Sequence, residues 1–324
     1  MSETAEVVRL DPPDKAAWDD LVAASPEATV FHTSAWARLW TGEWKDAKWE
    51  AWAVPNGGGY AGAIGAITRR RGLFDTVDSM PFATYGGPIV RKGSRDPASI
   101  RRALLEAFAR RAGRRLTLRW QLAWYGGIRA DLPDSLPMEE TFTHVLPLDS
   151  DYERVANGFS SSTRRLVRQS DESGLSMRVA ETAADLAAFY AMAVETVRRR
   201  GGTPKPLSVY ESIFAHMVPA GLARFHLVRH GQDAVAGSLD LFHQGIATNW
   251  LPVSREATWH LRPNNFMVAS ILETLCAAGY LEYNFGASPA DAAGLIRYKE
   301  GWGARPRPVL WAGRRSGLHR RLRP

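Results

Sequence analysis

The sequence has one cysteine and no long apolar run. A single cysteine excludes an internal disulfide. Because Cys276 lies in an apolar helical pattern that ends at Gly279, we interpret it as a core residue rather than a nucleophile. No stretch approaches the roughly 18 apolar residues of a spanning helix, so any membrane role is expected to be peripheral. Without disulfides or a start typical of a signal peptide, a cytoplasmic protein is predicted.

Several chemical signatures are also missing from the sequence. It shows no His, Cys, Asp or Glu spacing typical of a metal site, and no Walker loop, Rossmann turn or Ser-His-Asp pattern. We therefore predict neither a metal nor a resident cofactor. These absences disfavour metal-dependent hydrolases, P-loop NTPases and nicotinamide-dependent dehydrogenases.

Basic residues, by contrast, exceed acidic ones. The chain carries 41 Lys and Arg against 34 Asp and Glu, and its pI is about 9.7. Such a balance favours polyanions, namely nucleic acid, an anionic membrane face or a phosphorylated substrate, without choosing among them. The segment Arg314–Pro324 holds five arginines and no acid. We interpret it as a basic tail that is either a solvated end or, through Arg320 and Arg321, a contact for nucleic-acid phosphates.

Length and pattern predict two domains. A chain of 324 residues suits two domains of roughly 150 residues each. Both halves show the order helix, hairpin, helix and strand, which is typical of a duplicated α/β unit with mixed sheets. We predict an N-terminal domain over residues 1–150, a C-terminal domain over 151–313 and the basic tail over 314–324.

Three short sequence blocks follow one another along the chain. The last block combines Phe285-Gly286, Tyr298-Lys299 and Trp302-Gly303. The first is the segment Phe31–Arg38, with Trp36-Ala37-Arg38 at its end, and the second is the basic segment Ser161–Gln169. This arrangement resembles the Fem family of aminoacyl-tRNA-dependent peptidyltransferases and their acetyltransferase-like relatives.

The resemblance implies a fold and a function. It implies two tandem GNAT-like domains, and the sequence lacks the heptad stretch of a coiled-coil arm. It also implies that an amino acid moves from aminoacyl-tRNA, as co-substrate, to an amine of a peptidoglycan precursor or a related peptide. Two alternatives stay open: an acyl-CoA-dependent N-acyltransferase and a non-catalytic GNAT-like binding protein.

Lys299 is the main candidate for catalysis. A fixed cation stabilises the oxyanion that forms when an amine attacks an ester. The resemblance implies that the functional aromatic-lysine pair of the family falls on Tyr298 and Lys299, with Gly286 ending the preceding strand close to substrate. Asp240 lies in the middle of a strand, where it is either a polar anchor or the base that deprotonates the attacking amine.

Other candidates concern substrate phosphates. Arg200 is the candidate among three consecutive arginines that end a predicted helix before Gly201, where a favourable helix dipole is the alternative explanation. The resemblance places a basic residue that binds the phosphates of a diphosphate-sugar peptide in this region. It implies a second one, Arg38, beside Trp36, while Tyr85 begins a Gly-Gly turn that could approach a ligand.

Arg164, Arg165 and Arg168 form a basic stripe on one predicted helix. The stripe is either a solvated helix face or a contact for the acceptor stem of a tRNA. A CoA enzyme would need a glycine-rich amide cradle at a helix start. The matching segment, His260–Phe266, has no Gly-x-Gly pair, and its Pro263 lacks an N–H group. This argues against CoA in the second domain.

Overall fold

The computed structural model describes residues 5–82, 85–289 and 291–315. The strands, in chain order, are β1 Val8–Leu10, β2 Ala47–Asn56, β3 Gly59–Arg71, β4 Phe74–Ser79, β5 Ile89–Val90, β6 Thr117–Tyr125, β7 Glu139–Pro147, β8 Leu175–Val179, β9 Ala223–His230, β10 Asp233–His243, β11 Ile246–Ser254, β12 Glu282–Ala287 and β13 Arg305–Arg315.

Nine α-helices connect the strands of the described residues. They are α1 Lys15–Ala24, α2 Ser34–Glu43, α3 Pro97–Ala112, α4 Tyr152–Asn157, α5 Ser161–Asp171, α6 Ala183–Arg199, α7 Leu207–Ser212, α8 Pro263–Ala277 and α9 Ala293–Gly301. A π-helical turn, Ile213–Met217, extends α7. None of the helices in the described part of the chain is long and apolar enough to cross a membrane.

The chain divides into two compact units. One comprises residues 1–141 and 308–324, and the other comprises residues 142–307. The sequence analysis placed the division at residue 150, and it did not expect the C-terminal strand to join the first unit. Arg314 and Arg315 are strand residues that pair with Trp120 and Arg119 of β6, so they do not belong to a tail.

The first unit is built on a mixed sheet. Its strands follow the order β1-β2-β3-β4-β6-β13, and β5 pairs with β3. Only β4 and β6 are parallel, because α3 carries the chain from one to the other. The hairpin between β2 and β3 turns at Gly57 and Gly58, whose positive φ angles of 53° and 100° suit glycine. The core contains Trp52, Phe108 and Trp124.

The second unit repeats this plan. Its strands follow the order β7-β12-β11-β10-β9-β8, and β11 and β12 are the parallel pair, joined by α8. The core of this unit includes Ile271, Leu272 and Trp302. Cys276, on α8, is buried in the same core, as the sequence indicated. The predicted fold class, mixed α/β with two similar halves and without a coiled-coil arm in the described residues, is confirmed.

Two elements were missed by the sequence analysis. Lys299 lies in a helix, α9, that was not predicted, and residues 305–315 form a strand. No side chain caps the start of α9, so the usual signal of a helix start is absent there. The helix ends at Gly301, with Trp302 as its C-cap, and Gly303, with φ 78°, donates its N–H to the carbonyl of Glu300.

Candidate functional site

The parallel strands of the second unit separate where the candidate site lies. β11 and β12 are paired only from Ile246 with Glu282 to Thr248 with Asn284. Beyond that point β11 stays paired with β10, while β12 bulges against β7 between Asn284 and Ala287. Ligand sites of open α/β sheets occur at such carboxyl ends of strands. Gly286 lies in this bulge with φ 78°, a left-handed conformation that suits glycine.

Lys299 reaches this bulge from α9. Its Nζ donates hydrogen bonds to the carbonyl oxygens of Gly286 at 2.6 Å and Ala287 at 3.0 Å. The side chain is 4% exposed. Two of the three ammonium hydrogens thus have partners among the described residues, and one remains for another acceptor. The structure therefore brings together two of the predicted site residues, Lys299 and Gly286.

Burial changes the ionisation of Lys299. It lowers the pKa of the lysine from its usual 10.5 to about 8, because the charged form is poorly solvated inside the unit. At neutral pH the lysine is still mostly protonated, so it acts as a fixed cation. Since the pKa falls on folding, the charge destabilises the fold below about pH 8. This penalty disappears as the pH rises toward 10.5, where the unfolded chain also loses the proton.

The pH dependence of kcat should reflect the ionisation of Lys299. We expect kcat to fall as the pH rises through about 8, because deprotonation removes the cation from the site. The measurement is kcat from pH 6 to about 9.5. The residual activity of Lys299→Met should lack this alkaline fall. An identical fall in both proteins would assign the ionisation to another group.

Tyr298 precedes the lysine and retains 36% exposure. Its ring packs edge-on against Trp302, with 6.3 Å between the ring centroids. Burial of the hydroxyl end nevertheless raises the pKa of Tyr298 to about 12, and the indole of Trp302 acts in the opposite direction. The hydroxyl therefore stays protonated at neutral pH.

Asp240 is fully buried beneath the site. Its Oδ1 accepts hydrogen bonds from Asn249 Nδ2 and from the Tyr283 hydroxyl, each at 3.1 Å, and its Oδ2 lies 3.0 Å from His226 Nδ1. Both carboxylate oxygens are thus occupied. Burial, followed by the charge of Asp240, raises the pKa of Tyr283 well above its usual value. Of the two interpretations from sequence, this packing favours the polar anchor, while the role as a base stays untested.

His144 is a site residue that the sequence analysis missed. It lies on β7 across from the bulge of β12, since its neighbours Thr143 and Val145 pair with Ala287 and Asn284. The imidazole is buried, and its Nδ1 has no hydrogen-bond partner among the described residues. Burial and, secondly, the positive charge of Lys299 lower its pKa, against the opposing effect of Glu300. His144 is therefore a neutral base at physiological pH.

The basic helix α5 begins beside the end of α9. The Ser160 N–H, at the N-cap of α5, donates to the Gly301 carbonyl at 2.8 Å. A Cβ atom on Gly301 would lie only 2.8 Å from Thr163 Oγ1, so this close approach requires glycine. The helix that carries Lys299 is thus fixed to the first turn of α5.

The three arginines of α5 are all exposed, and their contacts differ. Arg164 Nη1 donates to the carbonyls of Asn157 and Phe159, which gives this side chain a structural role. Arg165 and Arg168 form no ion pair within the described part of the chain. The predicted basic stripe therefore exists on the surface, with two arginines available to a polyanion.

Arg200 lies at the C-cap of α6. The preceding Arg199 donates to the carbonyl of Ser254, the last residue of β11, so this helix end lies near the carboxyl end of that strand. Burial, and then the charge of Arg199, lower the pKa of Arg200. Two like charges side by side are typical of a surface that attracts an anion. No hydrogen bond between Arg200 and Lys299 is present among the described residues.

The first-unit candidates have different surroundings. Trp36 is fully buried and packs edge-on against Phe31 and Trp40, so its surface is used by the core. Arg38, on the same helix, is exposed and forms no ion pair with a described residue. Of these two, only Arg38 presents its functional group to solvent.

Tyr85 and the glycines after it are tightly packed. Tyr85 stacks on Tyr125 with 4.9 Å between ring centroids. The Gly86 N–H donates to the Ala123 carbonyl at 2.7 Å, and the Gly87 N–H donates to Ser79 Oγ at 3.1 Å. Both amides therefore already have partners, and this turn does not present them to a ligand. Arg320 and Arg321 lie outside the described residues.

The site residues missed by sequence share one feature. Asn249, Tyr283 and Asn284 are polar groups placed within apolar strands, as is His144. Asn284 Oδ1 accepts from Thr143 Oγ1 at 2.7 Å and from the Gly286 N–H at 2.8 Å, so it holds the bulge in place. A buried polar side chain in an apolar run requires a partner, and this requirement was the available signal.

The chain is similar to one known domain family and to several solved structures. Residues 158–300 match the family described as acetyltransferase (GNAT) domain. The crystal structure of FemX superposes with a TM-score of 0.70 at 14% identity, covering 98% of this chain and 99% of that one. The C-terminal domain of a putative lysylphosphatidylglycerol synthetase from Agrobacterium fabrum gives 0.61 at 12% identity, with 94% and 92% covered.

A third structure has the predicted duplication. A tandem GNAT protein from the clavulanic acid biosynthesis pathway superposes with a TM-score of 0.54 at 13% identity, covering 95% of this chain and 98% of that one. No curated protein matches the sequence. The predicted resemblance is confirmed at the level of fold: the chain shares the fold of FemX and of a tandem GNAT protein, and its residues 158–300 match the GNAT acetyltransferase domain.

Proposed function

We propose that this protein transfers an amino acid from aminoacyl-tRNA to an amine of a peptidoglycan precursor or a related peptide. The observation that carries the proposal is the contact between α5 and α9, since it places Arg165 and Arg168 on the helix next to the one that carries Lys299. A basic helix next to a buried cation suits aminoacyl-tRNA as the donor, because its reactive ester lies at the end of a polyanionic strand.

The reaction assigns one role to Lys299. The lone pair of the acceptor amine attacks the carbonyl carbon of the aminoacyl ester, and the carbonyl oxygen becomes an oxyanion. The remaining N–H of Lys299 donates to that oxyanion. The ester C–O bond then breaks, the ribose oxygen leaves with a proton, and an amide bond remains.

The attacking amine must lose a proton during this step. His144 is our proposed acceptor rather than Asp240, because its lowered pKa keeps the imidazole neutral and able to take up a proton. Both oxygens of Asp240 already accept hydrogen bonds. In this assignment Asp240 orients Tyr283 and Asn249 beneath the site. Arg200 is a proposed contact for the diphosphate of a sugar-peptide acceptor. Arg38, in the first unit, stays a separate candidate for phosphate binding.

The helix starts argue for tRNA rather than CoA as donor. α8 begins after Arg262, which is left-handed with φ 57°, and its first residue, Pro263, has no N–H. The amides of Asn265 and Phe266 both donate to the Arg262 carbonyl. In the first unit, the carboxylate of Asp96 caps α3. The start of α8 offers few free amide groups and the start of α3 has an acidic cap, so both are poorly suited to bind a pyrophosphate.

A binding experiment tests this choice. Thermal unfolding is measured with an aminoacylated RNA minihelix, with a diphosphate-sugar peptide and with acetyl-CoA, since a ligand of the folded state raises Tm. We expect the first two to stabilise the protein. Arg165→Gln/Arg168→Gln should weaken minihelix binding. The slope of the logarithm of the binding constant against the logarithm of the salt concentration should become shallower by about 1 per arginine. The double variant Arg154→Gln/Arg255→Gln removes equal charge from exposed sites and serves as the control.

The alternatives predict other results. Stabilisation by acetyl-CoA alone would favour an N-acyltransferase that uses CoA. Binding of the acceptor without transfer from any donor would favour a GNAT-like binding protein. An unchanged salt dependence in the Arg165→Gln/Arg168→Gln variant would contradict the role assigned to α5.

A further inference from the structure

An exposed apolar tip lies at one end of the sheet of the first unit. Leu73, in the turn between β3 and β4, is 76% exposed, and Phe74, the first residue of β4, is 38% exposed. Leu116, just before β6, is 47% exposed. The Asp75 N–H donates to the Leu116 carbonyl at 2.9 Å, which joins the two segments. Leu73, Phe74 and Leu116, here called the apolar tip, thus form one patch. Neighbouring exposed apolar groups of this kind mark interaction surfaces.

Arginines border the apolar tip on both segments. Arg70 and Arg71 precede Leu73, and their side chains remain 75% and 72% exposed although each pairs with one carboxylate. Arg114 and Arg115 precede Leu116, are exposed and form no ion pair within the described residues. The tip is therefore an apolar centre with a basic rim.

The same end of the sheet receives the C-terminal strand. Arg314 pairs with Trp120 of β6, and its guanidinium donates to the carbonyl of Thr117, the first residue of that strand. The sequence after β13 adds three further arginines and no acid. Arg314 therefore adds a further basic residue at this end of the sheet.

We infer that the apolar tip docks onto an anionic lipid surface. Leu73 and Phe74 enter the headgroup region, while Arg70, Arg71, Arg114 and Arg115 contact lipid phosphates. An RNA partner would use the arginines, but it offers no apolar medium for Leu73 and Leu116. The inference is independent of the proposed transfer reaction, because none of these residues belongs to the candidate site.

Vesicle flotation tests the surface. We expect binding to vesicles of phosphatidylglycerol and phosphatidylcholine in equal parts, and much weaker binding to phosphatidylcholine alone. Leu73→Ser/Phe74→Ser should lower the partition coefficient by on the order of tenfold or more. Arg114→Gln/Arg115→Gln should lower it by about fivefold per arginine. The controls are Ile128→Ser, an exposed apolar residue beyond the other end of β6, and Lys92→Gln/Arg95→Gln.

A fluorescent label tests the depth of the tip. Cys276, the single native cysteine, is buried, so a Leu73→Cys variant can be labelled selectively with an environment-sensitive dye. We expect its emission to shift to shorter wavelength when the mixed vesicles are added. The same dye on an Ile128→Cys variant should show no shift. Thermal unfolding of each variant checks that it is folded.

Three results would overturn the inference. Equal binding to neutral and anionic vesicles would remove the role of the arginines. Unchanged binding of folded Leu73→Ser/Phe74→Ser, with no emission shift at the labelled tip, would remove the role of the apolar residues. Absence of vesicle binding, combined with RNA binding lost in Arg114→Gln/Arg115→Gln, would assign the basic rim to nucleic acid.

Discussion

Lys299→Met should lower kcat by about 10²–10³-fold, with the fold preserved. Methionine retains most of the apolar stem and removes the charge, and removing a poorly solvated cation does not by itself destabilise the protein. The variant does leave the carbonyls of Gly286 and Ala287 without their donor. Since these carbonyls lie in the bulge of β12, a local rearrangement is expected rather than loss of the core.

The kinetic parameters separate two roles for this lysine. If the ammonium stabilises charge that develops in the transition state, kcat falls and KM changes little. If it holds a substrate phosphate in the ground state as well, KM rises and kcat is retained. Both are measured with the aminoacylated minihelix and again with acetyl-CoA as donor, and exposed Lys92→Met is the control. Wild-type kinetics in Lys299→Met would show that the lysine only anchors the bulge.

Trp302→Ala should cost about 3–5 kcal/mol of unfolding free energy. Trp302 is fully buried and belongs to the core of the second unit. Its ring packs edge-on against Phe159, with 5.0 Å between centroids, which fixes the end of α9 against the segment before α5. The cavity left by alanine would therefore loosen both the helix that carries Lys299 and its attachment to the basic helix.

The matched control is Trp259→Ala. Trp259 is 40% exposed and packs on the guanidinium of Arg199 at 4.9 Å, so the same truncation there should cost about 1 kcal/mol. Urea unfolding followed by circular dichroism measures both variants. Equal losses for the two tryptophans would contradict the central packing role of Trp302. A loss of activity at Trp302 that exceeds its loss of stability would indicate that α9 has also moved.

Much of the fold could be predicted from local patterns. The alternation of Trp49–Val54 and the glycines after it are typical of the β2–β3 hairpin, because strand period and turn chemistry act over few residues. A helix that ends before Gly201 was likewise predicted, and the structure has α6 there. Helix α9 was not predicted, because it is short, contains Gly294 and has no capping side chain.

The candidate site depended on contacts between distant segments. Sequence singled out Lys299 by resemblance, but it could not show that the ammonium meets the Gly286 and Ala287 carbonyls, 13 and 12 residues earlier in the chain. Likewise, His144 appeared as an ordinary strand residue. Its significance comes from the register of β7 against β12, which places it across from the bulge.

The sequence alone determined the class of fold, the excess of positive charge and the order of the motif blocks, because these follow from composition, periodicity and short-range turn chemistry. Tertiary structure decided which polar groups are buried and which face solvent. In the folded chain Asp240 accepts a hydrogen bond from the Tyr283 hydroxyl, and burial lowers the pKa of Lys299. Leu73 is exposed next to arginines in the sequence. Those properties depend on desolvation and on neighbours supplied by other strands and helices, which no local pattern encodes.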